Sequence, residues 1–191
     1  MCQMCQNNNL NFEATNVKFA AVIARCRDMY CKKLKDYGAS WRIMRPTSLT
    51  DQLYIKAKRI RNLEMGNIAL VEDDTSSEFV GLINYSIMAL IQYELGFTDT
   101  VDIDAEQALA LYNKYAAETL ELLKRKNHDY NEAWKEMRIT SYTDLILTKL
   151  NRIKEIEDND GATIASEGAP SNYMDIINYS VFALIKLAKQ E

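Results

Sequence analysis

Two stretches of this 191-residue chain carry the same residues in the same order. Lys33, Asp36, Tyr37, Trp41, Met44, Arg45, Thr50, Asp51, Lys56, Arg59 and Glu64 return 93 positions later. Their copies are Lys126, Asp129, Tyr130, Trp134, Met137, Arg138, Thr143, Asp144, Lys149, Arg152 and Glu157. After one inserted residue the match resumes, LINYSIMALI at 82–91 against IINYSVFALI at 176–185. Solenoid units run about 20–50 residues, so this period is too long for one. It reads as a duplicated half-domain, and the chain is expected to build a pseudo-twofold protein from one gene.

Six Gly and two Pro are few for this length, which favours long helices and short loops. Each half carries three helical segments. The first is expected over 13–34, with Val17, Ala20, Ala21, Ala24, Met29 and Cys31 on its apolar face, and its partner over 104–126. The second is expected over 51–64 and 144–158, where Leu53, Ala57 and Ile60, and Ile146, Leu150 and Ile153, fall at i, i+4, i+7. The Ser-x-Thr-Asp before each of these reads as a capping segment. The third, strongly apolar, is expected over 77–93 and 171–189. The fold class is therefore all-α, a bundle of about six helices made of two tandem three-helix repeats. Repeat one covers 13–94, a linker 95–103 and repeat two 104–191, with 1–12 an Asn-rich disordered tail. Neither half is expected to bury its faces alone, so both should form one domain.

A net charge of −4 disfavours a nucleic-acid scaffold, since such proteins carry a basic surplus. No apolar run is long enough to span a membrane. The N-terminus lacks the basic start and apolar stretch of a signal peptide, so the cytoplasm is the expected compartment, with the four Cys reduced. Cys2 and Cys5 form a CxxC, but no second pair completes a zinc site. There is no P-loop and no GxGxxG. The single histidine, His128, has Lys35 as its counterpart and reads as a surface residue.

The repeated residues include several that a core does not demand. Lys56 and Arg59, like Lys149 and Arg152, stand three apart and share a helix face. Glu64 and Glu157 continue an apolar stripe, where an acid either pairs with a base or binds something. Asn84 and Asn178 sit within apolar runs and need partners for their amides. Asp175 lies one turn before Asn178, whereas the first copy has Gly81 there and Glu78 a turn earlier. Asp36-Tyr37, Trp41 and Arg45, with Asp129-Tyr130, Trp134 and Arg138, combine an acid, two aromatics and a guanidinium. Aromatics with Arg and Lys can stack a base and hold phosphates. The other reading is that the Trp residues plug the bundle ends, and that Arg45 and Arg138 tie the loop to Asp51 and Asp144.

These segments, KDYGASWRIMRPTSLTDQLYIKAKRIRNLE with SSEFVGLINYSIMALIQYE and their copies, resemble the nucleotide modification associated domain, type one. The resemblance covers most of 30–187 and implies a link to nucleotide metabolism. A remoter similarity leads to the MazG-like, all-α nucleoside triphosphate pyrophosphohydrolases, which hold magnesium with acids on adjacent helices. This chain lacks their EExxE motif. The carboxylates it offers are Glu157, Glu167 and Asp175 in repeat two, with Glu64, Asp73 and Glu78 in repeat one.

The expectation is a nucleotide-binding protein, with magnesium-dependent hydrolysis of nucleoside triphosphates as its candidate activity. In it Lys56, Arg59, Lys149 and Arg152 hold phosphates, while Glu157, Glu167 and Asp175 coordinate magnesium. Glu157 and Asp175 are then catalytic. Arg45, Arg138, Tyr130 and Trp134, with Asn84 and Asn178, frame the nucleoside. Repeat two is the expected site because it retains Asp175. The alternative is a non-catalytic assembly module whose charges knit the halves together. Homodimerisation through apolar helices stays open.

Overall fold

A computed structural model describes residues 3–68, 74–163 and 167–189, with side chains from residue 12 onward. Six α-helices follow one another: α1 (Gln3–Tyr37), α2 (Pro46–Glu64), α3 (Thr75–Leu95), α4 (Ala105–Tyr130), α5 (Ile139–Asp158) and α6 (Ala169–Leu187). Short 3₁₀ turns at Ser40–Ile43 and Ala133–Glu136 precede α2 and α5. The protein is an all-α bundle, with no strand among the described residues.

The helix boundaries move in two places. α1 begins at Gln3, and its backbone continues through the Asn-rich stretch, which holds no Gly or Pro to stop it. α2 and α5 start five residues before the expected positions 51 and 144, two residues ahead of the Ser-x-Thr-Asp segment. Arg45 and Arg138 are the N-caps, without a capping side chain, and Pro46 supplies the first residue of α2. The Ser and Thr residues expected to cap instead sit in the first turns, where Thr50 and Thr143 are buried. The apolar face of α1 also differs. Val17 is 67% and Met29 43% exposed, while Thr15, Phe19, Ile23, Cys26, Tyr30 and Leu34 are buried. That seam advances by steps of four, four, three, four and four, a helical stripe that Ala residues had obscured. The stripes of α2 and α5 lie as expected, with Leu53, Ala57, Ile60, Ile146, Leu150 and Ile153 all fully buried.

α2, α3, α5 and α6 make the central packing, and α1 and α4 pack on each other and on α3 and α6. Exchanging α1 with α4, α2 with α5 and α3 with α6 leaves this set of contacts unchanged. Atomic contacts between α2 and α5 repeat the symmetry. Thr50 Oγ1 donates to Glu157 Oε1 at 2.8 Å, and Thr143 Oγ1 donates to Glu64 Oε1 at 2.8 Å. Asp51 pairs with Lys154 at 2.7 Å, and Asp144 with Arg61 at 3.8 Å. Each pair is the other advanced by one repeat. The acids on the apolar stripes thus meet hydroxyls of the opposite repeat rather than bases.

The signature loops are held from the third helix of each repeat. Gln92 Nε2 donates to the Arg42 and Met44 carbonyls at 2.8 and 2.6 Å. Its counterpart Lys186 donates to the Lys135 carbonyl at 2.9 Å and to the Met137 carbonyl. Arg42 is fully buried and grips Asp102 of the inter-repeat segment at 2.7 and 3.0 Å. That grip holds the Asp102 carboxyl below the usual range. No described helix is long and apolar enough to cross a membrane.

Candidate functional site

The symmetry fails at one end of each repeat. In repeat one, α1, the 3₁₀ turn, α2 and α3 enclose a cavity of about 820 Å³. Its cations are Arg25, Lys33 and Lys56, and its acids are Asp28 and Glu78. Tyr30, Tyr37, Trp41 and Tyr85 give it aromatic walls. Tyr37 is 56% exposed at its rim, whereas Tyr30 and Trp41 are buried. The Tyr30 hydroxyl and the Trp41 indole N–H lie near each other in the wall, without a well-formed hydrogen bond to any group. Burial raises the Tyr30 pKa, which keeps it a neutral phenol.

Glu78 is the buried acid of this cavity. Lys56 Nζ reaches its Oε2 at 3.1 Å, and Arg59 donates to its Oε1. Lys56 gets there by lying across Gly81. A Cβ built at that glycine would fall 2.8 Å from the Lys56 side-chain carbons. Asp28 pairs with Lys32 at 2.8 Å, and Arg25 donates to Ser76 at 3.1 Å. Lys33 makes no ion pair or hydrogen bond among the described residues.

Repeat two closes the same place. Asp175 stands where repeat one has Gly81, and its carboxylate takes Lys149 Nζ at 2.8 Å on one oxygen and Lys126 Nζ on the other. Phe182 stands where repeat one has Met88, and it stacks on Trp134 with centroids 4.4 Å apart and planes 6° from parallel. The carboxylate and the aromatic pair thus stand at the positions whose repeat-one counterparts, Gly81 and Met88, line the cavity.

The expected site residues therefore divide. Lys56 lines the cavity, Arg59 backs it through Glu78, and Asn84 lies in its wall. The Asn84 amide is satisfied structurally, donating to the Cys26 carbonyl at 3.1 Å and accepting from Tyr112 at 2.9 Å. Asn178 lacks that arrangement, and both its amide atoms are buried without a partner. The residue that would answer Tyr112 is Phe19, which has no hydroxyl. Lys149 and Asp175 form a closed pair, and Trp134 is packing. Arg45, Arg138, Arg152 and Glu167 are exposed, and Tyr130 is 70% exposed. Asp51 and Asp144 pair with Lys154 and Arg61, not with the loop arginines.

Glu157 faces α2, α3 and α6, among the hydroxyls of Thr50, Tyr93 and Tyr173 at 2.8, 3.3 and 3.3 Å. Burial raises its pKa, and the hydroxyls partly offset that rise. Glu157, Glu167 and Asp175 do not gather. Among the described residues no group of three or more His, Cys, Asp and Glu side chains forms a metal cage. Asp73, Cys2 and the side chain of Cys5 lie outside the described residues.

Sequence reasoning passed over Lys33, although its place in the repeat signature marked it. Gly81 was visible as the mismatch with Asp175. Arg25 had no such signal, since its counterpart is Glu118.

The model of the nucleotide modification associated domain 1 matches the chain twice, over residues 33–93 and 126–187. The chain belongs to this family. The two matches start at Lys33 and Lys126, the equivalent lysines that face the open cavity and the closed carboxylate. Together they take in both signature loops and both third helices. No curated protein and no solved structure matches the chain.

Proposed function

We propose that the chain binds a phosphorylated nucleoside in the repeat-one cavity. The observation that carries this reading is a half-enclosed space of nucleotide size whose wall combines Lys33 and Lys56 with Tyr37, Trp41 and Tyr85. Ligand sites of this kind run about 300–1,000 Å³, mostly apolar with a few placed polar groups. Lysines supply point charges for phosphate, and an exposed aromatic offers a face for a base. Membership of a family linked by name to nucleotide modification supports the same class of ligand.

Binding, rather than turnover, is the function the geometry supports. Hydrolysis of a triphosphate needs grouped carboxylates to hold magnesium and orient water. Here Asp175 is neutralised by two lysines, and Glu157 faces hydroxyls on another side of the bundle. Magnesium enters this reading as a companion of the nucleotide's phosphates, beside Glu78. The closed Lys126–Asp175–Lys149 group favours a second, narrower reading for repeat two, as an assembly element.

A thermal-shift and calorimetric screen of nucleoside mono-, di- and triphosphates, with and without magnesium, tests the proposal. Ligand at 100 times its Kd adds about 2.7 kcal/mol of stability. One nucleotide class should stabilise the protein, and Tyr37→Ala should weaken that class by about 1–3 kcal/mol, the worth of one stacked base. No stabilisation by any nucleotide would return the chain to the assembly reading. Pyrophosphate release in the same mixtures would add turnover.

A further inference from the structure

The two repeats carry equivalent lysines, and they differ in what those lysines meet. Lys126 and Lys149 converge on one carboxylate, Asp175. Their equivalents Lys33 and Lys56 both line the cavity, but residue 81 is Gly and supplies no carboxylate; Lys56 instead reaches Glu78 at 3.1 Å, and Lys33 meets no acid among the described residues. We propose that Asp175 is a built-in stand-in for the ligand's anionic group. The ligand's phosphate sits beside Gly81 between Lys33 and Lys56, repeat two is closed by its own carboxylate, and the chain takes one ligand. This deepens the nucleotide reading and rests on it for the identity of the ligand, though not for the anion.

The charges in repeat one accommodate such an anion. Lys33 has no ionic partner among the described residues. Lys56 shares Glu78 with Arg59, so it can turn to a phosphate while Arg59 keeps Glu78 compensated. The atoms nearest a Cβ at position 81 are the far carbons of Lys56, a flexible chain that moves at little cost. A carboxylate can therefore be placed at position 81 without disturbing the backbone.

The experiment is calorimetric titration of the full chain with metal-free inorganic pyrophosphate, in parallel with the nucleotide identified above. Wild type should bind one pyrophosphate. Gly81→Asp should lose at least about tenfold in affinity, the loss of a charge-assisted hydrogen bond, with its melting temperature unchanged or raised. Gly81→Asn, of similar size without the charge, should lose less. In the reverse direction Asp175→Gly should melt lower, and pyrophosphate should raise its midpoint by more than it raises that of wild type. No pyrophosphate binding by wild type, equal binding by Gly81→Asp, or no rescue of Asp175→Gly would overturn the anion subsite. Undiminished nucleotide binding by Gly81→Asp would overturn the subsite and leave the nucleotide reading standing. Pyrophosphate binding without any nucleotide binding would do the reverse.

Discussion

In repeat one, Trp41 and Met88 border an open space, and Lys33 stands at its edge without an ion pair among the described residues. In repeat two, Trp134 stacks on Phe182, and both equivalent lysines close on Asp175. The backbone, the signature loop and the lysines are common to both. The differences include two residues of the third helix, Gly81 against Asp175 and Met88 against Phe182. Duplication supplied two equal frames, and capacity for a ligand follows from the positions at which the copies disagree.

The comparison can be broken most forcefully at the lysines. Replacing both Lys126 and Lys149 by Ala leaves Asp175 buried without a counter-charge. Removing the partners of a buried charge costs about 3–5 kcal/mol. Lys126 is 41% exposed at its side chain, which places the expected loss at the low end. Lys33→Ala, at the equivalent exposed position with no partner among the described residues, should cost under about 0.5 kcal/mol. Denaturant unfolding of the two variants measures the contrast, and similar losses would mean that Lys33 already holds a structural role.

The aromatic contrast is smaller. Trp134→Ala removes a buried ring stacked on a second ring, and large-to-small changes of this kind cost about 3–5 kcal/mol. Trp41→Ala empties a wall that already borders open space, so fewer contacts are lost and the cost should fall below that range. Chemical denaturation again decides it, and Trp41→Ala proving the costlier change would show that the repeat-one wall is packed as tightly as the repeat-two stack.

How much of this was legible in the sequence follows from what each feature depends on. The six helices and the pairing of halves were readable because the repeat and the stripes of α2 and α5 are periodic, and Leu53, Ala57 and Ile60 kept their places. The α1 face was misjudged because small Ala and exposed Val17 and Met29 dilute the moment, while Thr15 and Cys26 serve as core. The shared residues Lys56 and Lys149 were visible, but their partners come from other helices, and only packing shows that Lys149 meets Asp175 while Lys56 crosses Gly81. Retention of Asp175 pointed to repeat two as the site. In three dimensions that acid is taken by Lys126 and Lys149, and the cavity lies in the repeat that has Gly81 in its place.

The subtlest contrast lies between the reciprocal acids of the α2–α5 contact. Glu157 receives three hydroxyls, Thr50, Tyr93 and Tyr173, whereas Glu64 receives Thr143 alone. Phe79 and Leu187 stand where the two tyrosines would recur. Burial raises both carboxyls above 4.5, their ordinary value. A folded-state acid with a raised pKa holds its proton more tightly than the unfolded chain does. The associated stability is therefore fully present below the unfolded value and is lost as pH rises through the raised one. Glu157→Gln and Glu64→Gln, each neutral at every pH, should flatten the decline of melting temperature above pH 4.5 and stabilise the protein at neutral pH. Because a bundle of hydroxyls compensates the ionised Glu157, comparing the two slopes measures what Tyr93 and Tyr173 contribute. A steeper decline in either variant than in wild type would show that the ionised carboxylate, rather than its protonated form, is the species the α2–α5 contact prefers.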